Sequence, residues 1–202
     1  MNQLNKTPDK SGLLRTVFSI VVLATLSACA TGQAPVVEKL DELTAVTYTY
    51  VRTPLILSPD TPLDRTQARD YVQVGVIEVN RMGSLKYYLW LGVSDTEHVG
   101  SSDSHHGGFK SIVLTLGDQK LPLDIHGWTH EAIGVSEPVY KKLFSTSIDA
   151  YYEVTLEHVR LLAEVDSMKL LTSGSAPKEF VSWYRQTAAK EELAEFLRTV
   201  LR

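Results

Sequence analysis

From Val46 onward the chain runs in short apolar stretches with strand-like alternation. VTYTYV (46–51) and LIL (55–57) are rich in β-branched, aromatic and aliphatic residues and are bounded by Pro54, Pro59 and Pro62, the pattern of two short strands. Thr61 to Asp70 is polar and reads as a connection. Tyr71–Val79 and Leu85–Val93 predict two longer strands joined by NRMGS, with Gly83 available for a positive φ. In the second of them Leu85, Tyr87, Leu89, Leu91 and Val93 share one face, and Lys86, Tyr88, Trp90 and Gly92 the other. SIVLTLGDQKLPLDI, from Ser111 to Ile125, predicts a hairpin. A two-residue turn at Gly117-Asp118 or Asp118-Gln119 puts Ile112, Leu114, Leu116, Leu121, Leu123 and Ile125 on one face.

The last third changes period. Leu156, Val159, Leu162 and Ala163 fall on one helical face, with Thr155 at the N-cap position and Glu157 in the first turn. SMKLLTSG and KEFVSWY predict two short strands around Gly174 to Pro177. TAAKEELAEFLRTVLR closes the chain with Leu193, Phe196, Leu197, Val200 and Leu201 at helical spacing. Its acids come early and its arginines late, which suits the helix dipole. The expected fold is therefore α+β, mainly antiparallel sheet, with a small sandwich as one arrangement and two late amphipathic helices packed on it. Val36 to Leu43 fits either a short helix or the continuation of a tether.

The amino terminus has a different character. Lys6, Lys10 and Arg15 precede an apolar run from Val17 to Leu26, which is too short to cross a bilayer but suits the h-region of an export signal. The run ends in Leu26-Ser27-Ala28-Cys29, which holds the chain's single cysteine. This segment resembles the lipobox of the bacterial lipoproteins. The resemblance implies cleavage of residues 1–28 as a signal peptide, diacylglyceryl transfer to the sulfur of Cys29, and acylation, commonly with palmitate, of the new amino terminus. Ala30, where an aspartate would favour retention at the inner membrane, points by the same resemblance toward the outer membrane of a cell that has one, and the expected location is its periplasmic side. Residues 29–45 are then expected to be the lipidated cysteine and its tether, and 46–202 one globular domain. The small residues Ala30 to Pro35 could span about 20 Å when extended.

Charge narrows the partners. Removing three Lys/Arg and one Asp with the leader takes the net charge from −4 to −6. An acidic chain lacks the clustered cations that displace counterions from nucleic acid, and it has no polybasic patch to add to lipid anchoring. With its cysteine acylated it forms no disulfide, so an ordinary apolar core must hold it.

Candidate chemistry gathers in one region. Ser94 to Gly108 holds Asp95, Glu97, His98, Asp103, His105 and His106, and DIHGWTH adds Asp124, His126 and His130. Imidazole and carboxylate are ligands for zinc or another divalent first-row ion. No recognised ligand spacing occurs, and Gly/Ser-rich connections collect polar residues simply because they are solvated. The sequence also lacks G-x-S-x-G and any phosphate-binding glycine loop. The leading expectation is a non-catalytic, lipid-anchored cell-envelope protein that binds or scaffolds another envelope protein. The alternative is a divalent-metal-binding envelope protein, extending to hydrolysis, that uses His105, His106, His126 and His130.

Overall fold

The computed structural model describes residues 33–59, 70–94, 107–144, 147–174, 177–183 and 186–201. The predicted α+β class holds: antiparallel strands form one ten-stranded sheet, and two helices pack on it. The strands are β1 (Val36–Asp41), β2 (Val46–Val51), β3 (Leu55–Pro59), β4 (Tyr71–Arg81), β5 (Ser84–Ser94), β6 (Ser111–Leu116), β7 (Gln119–Asp124), β8 (Ile148–Val154), β9 (Met168–Thr172) and β10 (Glu179–Ser182). The helices are α1 (Leu156–Glu164) and α2 (Thr187–Val200).

Strand β4 is the hub. One of its edges is shared, with β2 on the carboxyl-terminal half (Tyr50↔Ile77 to Thr47↔Asn80) and β3 on the amino-terminal half (Leu55↔Val74 to Leu57↔Val72). The break falls at Arg52 to Pro54, where proline cannot donate to a ladder. Beyond β3 the sheet continues through β10, β9, β6 and β7; from the other edge of β4 it continues through β5 and β8. The two ends then approach each other. Gly127, just past β7, bridges to Tyr151 of β8, whose N–H donates to Gly127 O at 2.8 Å. A single curled sheet, not two facing sheets, results.

Curling gives the sheet an inner and an outer core. Val72, Val74 and Val76 of β4, Leu89, Leu91 and Val93 of β5, and Ala150 and Tyr152 of β8 point inward. The helices add Val159, Leu162, Leu193 and Phe196 to this cluster. The N-cap of α1 is Thr155, whose hydroxyl accepts from His158 N at 3.2 Å. Its last turn is held by Lys190 of α2, which donates to Leu162 O at 2.8 Å and to Val165 O. Burial pulls this amine's pKa down, while its donors satisfy carbonyls that a helix end leaves orphaned.

The outer face of β2, β4, β5 and β8 is equally dry at its centre, because residues 127–144 cross it as an irregular strap. Ile133, Val135, Val139 and Tyr140 of the strap pack on Val46, Tyr48, Ile77, Val79, Tyr88 and Trp90. Tyr140 stacks on Trp90 with ring centroids 4.6 Å apart, and its hydroxyl donates to Val76 O at 2.9 Å. The ring lies so close to β4 that a Cβ at Gly75 would overlap it. Tyr88 and Trp90, on the polar-reading face of β5, are thus covered by a loop.

Three sequence expectations change. The tether does not reach residue 45: β1 pairs with β2 from Val36↔Val51 to Asp41↔Val46, and the folded unit runs from Pro35 to Arg202. The alternation of Val36 to Asp41 is too poor to predict a strand, because an edge strand needs an apolar face only where it meets the core. Strand β8, IDAYYEV, had no predicted counterpart, since its mixed polar and aromatic residues give up their pattern only once both faces are covered. Leu197, mid-stripe in α2, is half-buried, whereas Leu193 and Phe196 are the buried pair.

Candidate functional site

An open cleft of about 450 Å³ lies where the strap passes the turn end of the β4–β5 hairpin. Alternation along β4 and β5 places Val79, Arg81, Lys86 and Tyr88 on this outer face, and the strap supplies Glu131, Ala132, Ile133 and Gly134. His126 enters from the end of β7. Gly134 has φ 83°, and a side chain there would meet the Arg81 guanidinium. Its missing Cβ therefore lets Arg81 lie along the strap backbone.

The charges are arranged in two groups. Glu153 of β8 stands between Lys86, at 3.1 Å, and Nδ1 of His126, at 3.7 Å. The hydrogen bonds from the ammonium to this carboxylate raise the pKa of Lys86. His126 lies over Tyr88, ring centroids 5.2 Å apart, with Nε2 3.1 Å from Ala132 O. A carbonyl can only accept, so Nε2 carries the proton and the Nδ1 lone pair is the one left in the neutral ring. In the second group Glu131 approaches Nε2 of His130 at 3.3 Å, and its pKa is lowered chiefly by a hydrogen bond from Thr129. Nε2 of His130 also donates to Ser136 O at 3.2 Å. The Arg81 side chain makes no hydrogen bond or ion pair among the described residues.

The strap that walls the cleft is tied down from the far side. Asp41, at the end of β1, accepts from Ser136 N at 2.6 Å and Ser136 Oγ at 2.8 Å, and it also accepts from Leu43 N and Thr44 N. The Ser136 backbone bond is the main reason its carboxyl is held well below the usual carboxylate range. Lys39 and Glu137 pair beside it at 3.0 Å.

Of the four histidines singled out by the sequence, His126 and His130 are both on the segment leading into the cleft, each with Nε2 committed to a backbone carbonyl. His105 and His106 lie outside the described residues, as do Cys29 and the rest of the lipobox. Among the described residues no three His, Cys, Asp or Glu side chains come together as a metal would require. Arg81, Glu131 and Glu153 were not singled out, because they come from separate segments and each alone reads as a solvated surface charge. Comparison with protein-family models, curated proteins and solved structures finds no match to this chain. No helix among the described residues is long and apolar enough to cross a membrane.

Proposed function

We propose that the protein is a lipid-anchored component of the bacterial cell envelope, held by acyl chains on Cys29 at the periplasmic face of the outer membrane, and that its domain binds another envelope component without catalysis. The observation that carries this reading is Leu26-Ser27-Ala28-Cys29 at the end of a short apolar run behind a basic start. Two or more acyl chains anchor a protein stably where one gives only marginal binding. The cleft supports the binding part: it offers Arg81 and Lys86 on one wall and Glu131 on another. Recognition of a polar group on an envelope protein needs such fixed charges of both signs.

Replacing Cys29 with Ala should abolish incorporation of labelled palmitate and leave the uncleaved precursor. Normal processing of that variant would overturn the anchor. For the partner, cross-linking in intact envelopes through a photoreactive group at Ala132 should capture one dominant protein. An Arg81→Glu change should remove that adduct.

A second reading is favoured by the juxtaposition of His126 Nδ1 and Glu153, which could begin a zinc site completed by His105, His106 or His130. Ligands must be deprotonated to coordinate, so such binding would weaken as pH falls through the imidazole range near 6.5. Calorimetric titration of zinc at two pH values separates the readings. Tight, stoichiometric, pH-dependent binding that disappears in a His105→Ala, His126→Ala double variant would establish the metal site.

A further inference from the structure

Two hairpin tips project from the same end of the sheet. Strand β1 ends and β2 begins there, as do β4 and β5, and register places Leu40, Thr47, Asn80 and Leu85 in one row across the four strands. Four of the eight exposed large apolar side chains among the described residues are at this end: Leu40, Leu43, Met82 and Leu85. Leu43 is 86% exposed and Met82 97% exposed, each on a turn. Met82 also has φ 53° and is followed by Gly83 at 88°. A two-residue turn with both φ values positive favours Asn-Gly, so the turn itself gives no reason for a long apolar side chain at its first position.

We infer that the two hairpin tips dock shallowly into the lipid surface that carries the anchor, with Leu43 and Met82 entering the acyl boundary. Two features of the tips suit that occupant. First, Leu43 and Met82 project almost fully exposed from turns, so a fluid layer can close around them. Second, three of the turn N–H groups already have partners. Gly83 N donates to Asn80 Oδ1 at 2.8 Å, and Leu43 N and Thr44 N donate to Asp41 Oδ1 at 3.1 and 3.3 Å. Backbone donors without partners would oppose leaving water. Glu42 and Arg81 flank the tips and limit them to interfacial depth.

This inference rests on acylation of Cys29, and the chain length is compatible with it. The six steps from Pro35 to Asp41 cover about 20 Å at roughly 3.3 Å each. The six steps from Cys29 to Pro35 reach about 21 Å at most. An acylated Cys29 and the tips can therefore meet one surface. Tethering sets a local concentration in roughly the millimolar range, so weak insertion suffices.

The test uses the full chain, processed in a bacterial host and reconstituted in vesicles of phosphatidylethanolamine and phosphatidylglycerol. Met82→Cys, Leu43→Cys and, as a control on the β6–β7 turn, Asp118→Cys are each labelled with a polarity-sensitive dye. Acylated Cys29 is a thioether and takes no dye. Nitroxide lipids carrying the spin near the headgroup should quench positions 43 and 82 several-fold more than position 118, with a blue shift at both. Equal quenching at all three positions, with diacylglyceryl on Cys29 confirmed by mass spectrometry, overturns the docking and leaves the anchor standing. A dye-reactive Cys29 overturns the anchor on which the docking rests. A blue shift without quenching, together with a doubled particle mass in detergent, assigns the patch to a second copy and likewise overturns the inference.

Discussion

Gly75 and Tyr140 show how much one close approach decides. The phenol stacked on Trp90 needs the space that a side chain at position 75 would fill, and its hydroxyl needs Val76 O. Gly75→Ala should destabilise by about 1 to 3 kcal/mol, as overpacking does. In a Tyr140→Ala background the same change should cost much less, and thermal melts of the four proteins would measure the coupling. Glu78 makes a different case. It is 8% exposed, and one carboxylate oxygen has no hydrogen-bond partner. Burial raises its pKa, offset in part by its hydrogen bond with Tyr87, whose own pKa is pushed up to about 12. A raised folded pKa means that folding takes up a proton. The contribution is fully present below the unfolded carboxylate value near 4.3 and is lost as pH rises through the folded value. Glu78→Gln should therefore be more stable than the native protein at neutral pH, with the advantage vanishing in acid. Chemical denaturation at pH 4 and pH 7.5 would check this; equal differences at both would contradict it.

At the scale of elements, the strap is held by few but well-placed groups. Asp41 collects donors from both its own turn and Ser136, which joins the β1–β2 hairpin to the loop that covers the outer face. Because its pKa is lowered on folding, its contribution is present above the unfolded value and fades as pH falls toward the folded one. Asp41→Asn should raise amide exchange through residues 130–144 while leaving β4 and β5 protected. Uniform loss of protection across the sheet would mean that the strap is not a separate unit. In α2, Phe196→Ala should cost about 3 to 5 kcal/mol because the ring is fully buried. Leu197→Ala, one position on and half-buried, should cost clearly less, and paired urea melts would rank them.

For the whole molecule, the consequential feature is that the sheet begins at Val36. A chain starting at residue 46 would lose β1, the exposed edge of β2 would go unpaired, and Ser136 would lose Asp41. Unpaired edges template association. Such a fragment should melt lower and associate more than one starting at Pro35. Sedimentation and calorimetry of the two would decide it, with identical midpoints showing β1 to be dispensable.

Much of this architecture is readable from local pattern. The β4–β5 and β6–β7 hairpins, a two-residue turn within Gly117 to Gln119, the Thr155 cap and the α2 stripe all follow from periodicity and turn chemistry, because each depends on residues close in sequence. The charge balance and the lipobox resemblance are also properties of the chain itself. The rest depended on what covers what. Tyr88 and Trp90 read as one face of a strand, but only the curl of the sheet and the strap make that face a second core. Strand β8 and edge strand β1 carry weak periodicity and became strands through partners far away in sequence. The cleft is the clearest example: Arg81, His126, Glu131 and Glu153 carry no shared spacing, and they meet because antiparallel pairing and a crossing loop bring four separate segments to one end of the sheet.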